Sequence, residues 1–328
     1  MPFIHYAGHA LSVPEGASVL ETLLAAKHRI PNSCRSGTCQ SCIMQLLSGE
    51  VEPQAQKGLK DSWQAQGLFL ACQCRPKQDI EITLPDAEQI RLSCRVTGHQ
   101  RLAGNILRLR LRPDQAFDYY PGQHVTLWRN ASLGRSYSLA SVPALDGEEL
   151  EFHIKAFPNG QISRWLSETV AIGDRIALQG PGGDCFYTGT KQDQALLLAG
   201  IGTGLAPLYG ILRDALHHGH TGQIHLYHGA VDTAGLYLHP VLRDLTESYQ
   251  NFHYHPCTLS SSDRDPAIQA LDIADLLRRE RNDLKGWRVY LCGPDEFVKK
   301  QKKSCFLAGA GIKEIYSDAF ITNPAHDG

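Results

Sequence analysis

Two hydrophobic periods alternate along this 328-residue chain, and the changes between them mark its segments. In Leu107-Arg-Leu-Arg-Leu-Arg112 every second residue is apolar, the pattern of a half-buried antiparallel strand whose arginines face water. Strand-like runs at 123–128, 135–140 and 150–157, separated by glycine- and proline-bearing turns, extend this to a small antiparallel barrel ending near Gly180-Pro-Gly-Gly183. Beyond Thr190, apolar runs at 195–199, 223–228, 251–256 and 287–292 alternate with helical segments from about Leu205 and after Gly235. That alternation predicts a doubly wound parallel sheet. Before the barrel, short strands at 3–6 and 10–13 lead to Ser18-Val-Leu-Glu21, a capping box in which the serine hydroxyl and the Glu21 carboxylate satisfy each other's backbone amides. The helix it opens runs to about His28 and places Val19, Leu20, Leu23 and Leu24 on one face, as needed to cover a β-grasp sheet. Pro85-Asp-Ala-Glu-Gln89 reads as a polar connector, which sets expected boundaries at 1–88, 89–188 and 189–328.

Composition narrows the class. An apolar content of 42%, a charged content of 20% and a net charge of -2 describe an ordinary soluble globular protein without a nucleic-acid footprint. Residues 195–212 carry no charge and reach membrane-spanning length, but four glycines and Pro207 break them into strand, loop and helix start. The opening Met-Pro-Phe-Ile-His-Tyr lacks a basic region followed by an apolar stretch, so no secretion signal is read and a reducing cytosol is the expected compartment. Of the ten cysteines, Cys94, Cys185, Cys257 and Cys305 read as small core residues.

Cys34, Cys39 and Cys42, spaced C-x4-C-x2-C on one loop, with Cys72 arriving from far downstream, carry the spacing of a plant-type [2Fe-2S] site and predict single-electron transfer. Structural zinc is the competing reading; it usually takes two close ligand pairs, whereas here the fourth cysteine stands alone. Cys74 competes with Cys72 as fourth ligand. Cys72 is preferred because it ends the apolar run Leu68-Phe-Leu-Ala, while Cys74 precedes Arg75-Pro76.

Arg135-Ser-Tyr-Ser138 lies on a barrel strand, where alternation separates Arg135 and Tyr137 from Ser136 and Ser138. Such a strand can offer a guanidinium to a diphosphate, a phenol to a flavin ring and the Ser138 hydroxyl to the ring's N5 edge. Downstream, Lys155 precedes Gly160-Gln161-Ile162-Ser163, a glycine turn whose helix amides suit the same diphosphate. Gly200-Ile-Gly202-Thr203-Gly204 follows an apolar strand and opens a helix, the arrangement that meets a pyrophosphate at the carboxyl edge of a sheet. Pro207 stands in the region of the third glycine of a standard dinucleotide fingerprint. Asp232 follows the next strand, with no Arg or Lys before Arg243, so a ribose hydroxyl is preferred over a 2′-phosphate and NADH over NADPH.

Together with Cys292-Gly293-Pro294 behind the N-terminal cluster motif, these residues resemble the ferredoxin-NADP reductase superfamily over essentially the whole chain. Within it the chain resembles the reductase components of bacterial multicomponent oxygenases, such as toluene and methane monooxygenases; 69–76 and 155–160 resemble the toluene monooxygenase type. The resemblance implies a β-grasp [2Fe-2S] ferredoxin, an antiparallel flavin barrel and a parallel-sheet NAD domain. It also implies FAD rather than FMN, held by Arg135, Ser136, Tyr137, Ser138, Ile154, Lys155, Gly160, Gln161, Ile162 and Ser163. Cys292 is implied near the nicotinamide, and Phe320 in the place of an aromatic that shields the flavin. The implied activity is transfer of electrons from NADH through FAD and the cluster to a partner oxygenase or hydroxylase. A deoxysugar dehydratase, a sodium-pumping quinone reductase and a redox-sensing module are the alternatives. His217, His218, His220, His225 and His228 are read as a solvated helix end and its surroundings rather than a metal site, and Lys299-Lys-Gln-Lys-Lys303 as a solvated helix face.

Overall fold

The computed structural model describes residues 1–86, 90–103, 105–260 and 265–320. The expected boundary at 88/89, part of the connector and the tail after Phe320 lie outside the described residues. The chain divides into two compact units: Met1–Arg95 with His124–Tyr137 and Arg175–Gly183, and the remainder.

The first unit begins with a five-stranded sheet in the order β2-β1-β5-β3-β4, built from β1 (Phe3–Tyr6), β2 (His9–Ser12), β3 (Ile43–Ser48), β4 (Leu68–Leu70) and β5 (Ile80–Thr83). β1 and β5 are parallel and the other pairings antiparallel. The capping box forms as the sequence requires: the Ser18 and Glu21 backbone amides donate to Glu21 Oε2 at 2.8 Å and Ser18 Oγ at 3.2 Å. The helix is shorter than its apolar stripe suggests, Val19–Ala25, and it buries Val19, Leu20 and Leu23 in a core with Ile4, Met44, Phe69 and Ile80. The same unit holds an antiparallel set made by the first half of β6 (Leu92–Arg101), β11 (Arg175–Gly182), β8 (His124–Trp128) and β9 (Gly134–Ser138).

In the second unit β7 (Ile106–Pro113) pairs antiparallel with β10 (Leu150–Lys155). The arginines of β7 do not simply face water. Arg110 stands opposite Glu151, and the Nε atoms of Arg108 and Arg110 both lie 2.8 Å from its carboxylate. Glu151 is 2% exposed, and its second oxygen meets the ring of buried His153 at 3.0 Å. The charged side of β7 is thus answered by a buried carboxylate, which a period-two pattern cannot reveal.

The parallel sheet runs β15-β14-β13-β12-β16-β17, from β12 (Leu196–Ile201), β13 (Ile224–Ala230), β14 (Phe252–Thr258), β15 (Gln269–Ala270), β16 (Arg288–Pro294) and β17 (Ile315–Phe320). The uninterrupted apolar run of β12 follows from burial on both faces. Leu196 and Leu198 enter one core under the Leu205–His217 helix; Leu197 and Ala199 enter another with Ile273, Leu276 and Val298. In-register parallel pairing aligns Gly200 with both His228 and Cys292, and Cys292 with Asp318, so four strands present their chemistry at one carboxyl edge. The lysine run lies on the Asp295–Leu307 helix with Gln301 buried among exposed lysines.

The histidines differ from expectation. His217 ends its helix beside Gly219, but His220 is 5% exposed and bonded to the Tyr187 hydroxyl at 3.1 Å. His225 stacks on His253 and faces His255 with ring nitrogens 2.9 Å apart, and His228 is fully buried. Burial is the main cause that pushes His225 and His228 down to about 3 and His255 down to about 4, with Arg281 adding to it at His225. Unfolded histidine titrates near 6.5, so between about pH 6.5 and 4 only the unfolded chain takes up these protons. Stability is therefore complete above about pH 6.5 and lost as pH falls below it. Melting curves should show a midpoint that drops by several degrees from pH 7 to pH 5, and His225→Gln should flatten that dependence.

Candidate functional site

Three left-handed residues, Arg35 (φ 53°), Gly37 (φ 87°) and Gln40 (φ 56°), curl the segment between Pro31 and Cys42 into a nest. Backbone amides of Ser36 and Cys39 point at Cys34 Sγ at 3.4 and 3.3 Å, and the Thr38 hydroxyl donates to the same sulfur at 3.4 Å. The sulfurs fall into two mutually interacting pairs, Cys34 with Cys39, whose sulfur also accepts from the Cys34 amide at 3.4 Å, and Cys42 with Cys72. Hydrogen bonding from Cys39, then from Ser36 and Thr38, holds Cys34 down to about 3; Cys42 holds Cys72 down to about 7. Among the described residues no three His, Cys, Asp or Glu side chains converge on a single ion. Two sulfur pairs ringed by N–H and O–H donors suit a binuclear cluster with one pair per iron, and a mononuclear tetrahedral zinc poorly. Cys74 is fully buried, with its thiol pushed up to about 12 by burial, and packs in the core beneath the first helix.

The flavin motif begins in the first unit and ends in the second. Arg135, Ser136 and Tyr137 lie on β9, with Ser136 Oγ 3.3 Å from Thr126 Oγ1. Ser138 is nearly buried, and its hydroxyl donates to Asp318 Oδ2 at 2.7 Å. Asp318 sits beside Cys292 in parallel register, so Ser138, Cys292 and Asp318 form one constellation at the carboxyl edge. Burial, then Cys185 and Asp318, push the Cys292 thiol up, so it is neutral. Cys185, read from the sequence as packing, places its sulfur 3.6 Å from that of Cys292. Asp318 was not anticipated: the run 315–320 alternates too weakly to announce a strand, and a lone acid so far from Ser138 carries no spacing signal.

Gly160 is the N-cap of the Gln161–Glu168 helix, which no side chain caps, and an added Cβ there would collide with Ser163 Oγ. Ser163 accepts from the Phe157 amide at 3.2 Å and fixes the turn. Ile162 stands in the first turn of that helix, where the sequence offers its backbone amide rather than its side chain. That side chain is buried on the inner face of the helix, because an apolar residue one turn before Leu166 belongs to the amphipathic stripe. Ile162 can therefore serve a cofactor only through its backbone amide, one of the first-turn N–H groups that the helix itself leaves unpaired. Ile154 is likewise buried, on β10 beside exposed Lys155.

Gly202 (φ 56°) and Thr203 form a single 3-10 turn after β12, and Gly204 opens the Leu205–His217 helix without a side-chain cap. A Cβ on Gly204 would overlap the Cys292 carbonyl, which ties the glycine loop to Cys292-Gly293-Pro294. Pro207 falls in the first turn of that helix, where its missing amide hydrogen costs nothing. These glycine-framed, uncapped helix starts fit phosphate groups. Asp232 caps the Thr233–Gly235 turn, accepting from Gly235 at 3.0 Å, and Arg243 pairs with Asp265 at 3.3 Å. Phe320 ends β17 opposite Pro294.

Comparison with known proteins agrees with these parts. Residues 4–77 match the 2Fe-2S iron-sulfur cluster binding domain, 93–187 the oxidoreductase FAD-binding domain and 197–303 the oxidoreductase NAD-binding domain. The chain is 32% identical over 311 residues to the ferredoxin–NAD(P)+ reductase component of the Pseudomonas putida naphthalene 1,2-dioxygenase system, covering 93% of this chain and 94% of that one. It is 33% identical to the aromatic O-demethylase reductase subunit of an Amycolatopsis species, covering 97% and 98%. The chain belongs to the ferredoxin–NAD(P)+ reductase family. A crystal structure of an Amycolatopsis cytochrome P450 reductase superposes on this reductase with a TM-score of 0.69 at 30% identity, covering 98% and 99% of the two chains. The reductase is thus an oxidoreductase with an N-terminal [2Fe-2S] domain, an antiparallel barrel-like FAD sheet and a parallel NAD sheet, and it uses all three cofactors. No helix among the described residues is long and apolar enough to cross a membrane.

Proposed function

We propose that this reductase works in the cytoplasm with NADH and delivers its electrons to an oxygenase or hydroxylase component, its domains dividing at 1–88, 89–188 and 189–328. The observation that carries the reading is the Ser138–Asp318–Cys292 constellation in a chain that also bears the paired-cysteine nest. Support for the partner comes from the naphthalene dioxygenase and aromatic O-demethylase relatives, whose alignments span almost the whole chain.

Bound FAD takes a hydride as a two-electron unit, and a [2Fe-2S] cluster passes electrons on singly. The protein supplies placement. Arg135, Lys155 and the amides of Gln161, Ile162 and Ser163 hold the flavin with Ser136, Tyr137 and Ile154, and Phe320 covers it. Gly200, Gly202, Thr203, Gly204 and Pro207 receive the coenzyme pyrophosphate, while Asp232 faces the ribose. Gly293 and Pro294 set the Cys292 thiol beside the nicotinamide. Asp318 accepts the hydrogen bond of the Ser138 hydroxyl, which would leave that oxygen free to act as an acceptor toward a bound flavin. Cys34, Cys39, Cys42 and Cys72 would hold the irons, and half-buried Cys34, the most accessible of the four, is followed by exposed Arg35 and Ser36, where an acceptor can approach.

Anaerobic titration with NADH, followed by absorbance and EPR, should bleach flavin and cluster together and raise the signal of a reduced [2Fe-2S] centre. NADPH should act more than about tenfold more slowly, since Asp232 repels a 2′-phosphate. Bleaching of the flavin alone, or equal rates with NADPH, would contradict this reading. Electron delivery to a dehydratase component but to no oxygenase component would overturn the partner assignment.

A further inference from the structure

Within the first unit the cluster loop rests on the barrel strands through consecutive backbone groups. Thr126 on β8 and Gln179 on β11 are direct register partners, so their side chains leave the sheet on one face. Thr126 is 0% and Gln179 1% exposed. The Thr126 hydroxyl donates to the Cys39 carbonyl at 3.3 Å, and the Gln179 amide donates to the Gln40 carbonyl at 2.8 Å. After a bulge in β11 comes Gly182, where an added Cβ would overlap the Thr38 carbonyl oxygen. Thr38, Cys39 and Gln40 are thus seated in turn on a glycine, a hydroxyl and an amide. Gln179 Oε1 is buried without a hydrogen-bond partner among the described residues. Core packing alone would favour an apolar residue there, so a half-satisfied buried amide points to a task for its donor end. Thr126 Oγ1 also lies 3.3 Å from Ser136 Oγ, which leaves one hydroxyl between Ser136 and the Cys39 carbonyl.

We infer that Thr126 and Gln179 are positioning residues that clamp the cluster loop onto the flavin strand and set how readily the cluster receives electrons from the flavin. The inference rests on reading Ser136 as flavin-binding and Cys39 as a cluster ligand. A ligand's hydrogen-bonded surroundings govern metal-site properties as strongly as outer partners of metal ligands elsewhere, where loss costs about 10- to 100-fold.

The test uses purified holo-reductase with measured FAD, iron and sulfide. In Gln179→Leu, NADH–ferricyanide turnover should stay at the wild-type level, while NADH-driven cluster reduction in anaerobic stopped flow slows about tenfold. Thr126→Val should slow cluster reduction similarly, and Thr126→Ser should restore it. The EPR spectrum of the reduced cluster should broaden in Thr126→Val/Gln179→Leu. Loss of iron from that double variant with FAD retained also supports the clamp. A double variant with full iron and FAD, a wild-type rate of cluster reduction and an unchanged EPR spectrum would overturn it. Ser136→Ala separates the premise from the inference: undiminished FAD affinity would refute the flavin assignment, whereas the EPR comparison reads the clamp without it.

Discussion

NADH-driven reduction of cytochrome c is expected to vanish in Cys72→Ala, while NADH–ferricyanide turnover persists. Cys72 is the partner of Cys42 in the second sulfur pair, and it is the one proposed ligand supplied from outside the loop. Alanine is the informative replacement because serine would still offer an oxygen to iron. With one thiolate gone, the second iron lacks half its protein ligands, and one-electron transfer should fall by more than about a hundredfold. Ferricyanide can take electrons at the flavin, whose strands and helix starts lie elsewhere in the chain. The measurement is the ratio of the two activities at matched FAD content. Equal loss of both would mean that the nest supports the fold rather than the electron route. Cys74→Ala offers the contrast, since that buried thiol stands apart from the sulfur pairs; its cytochrome c activity should follow the amount of folded protein.

Hydride transfer is expected to slow by about a hundredfold in Ser138→Ala. The hydroxyl is already committed as donor to Asp318 at 2.7 Å, so toward a bound flavin it would act as an acceptor. Alanine removes that acceptor, and Asp318→Asn keeps the shape while reversing the available proton, which should cost about tenfold. Single-turnover bleaching of the flavin by NADH under anaerobic conditions reads both values. Hydride donated from deuterated NADH should show a larger isotope effect in Ser138→Ala than in the wild type. A Ser138→Ala rate within twofold of wild type would remove the hydroxyl from the reaction.

Legibility followed the range of the forces involved. Metal ligation demands fixed residue types at short spacing, so Cys34, Cys39 and Cys42 stood out, and the glycine loop at 200–204 did so because only small residues admit the approach of Cys292. The parallel sheet was readable because burial on both faces leaves runs such as Leu196-Leu-Leu-Ala199. Asp318 was not readable, since its role arises from the register of β17 on β16 and from a contact 180 residues away. The turn at 160–163 was read for the amides it offers; that Ile162 at the same time buries its side chain on the helix's inner face follows from the amphipathic stripe. Cys185 was read correctly as buried, but burial alone says nothing of which sulfur lies beside it. Thr126 and Gln179 are ordinary strand residues until the cluster loop is laid across them. His220 looked like part of a solvated helix end because Gly219 marks the stop, but the chain after that glycine turns back under Tyr187.

The carboxylate of Glu151 has a consequence for the hairpin of β7 and β10. Side chains alternate along a strand, so a slip of one residue would turn Glu151 away from Arg108 and Arg110 and strand an unneutralised charge against the apolar interior. A one-residue misalignment is therefore penalised more heavily than in an all-apolar hairpin. Lys155 sits four positions further along the same strand, so the alignment that shelters one acid also decides where this cation is delivered.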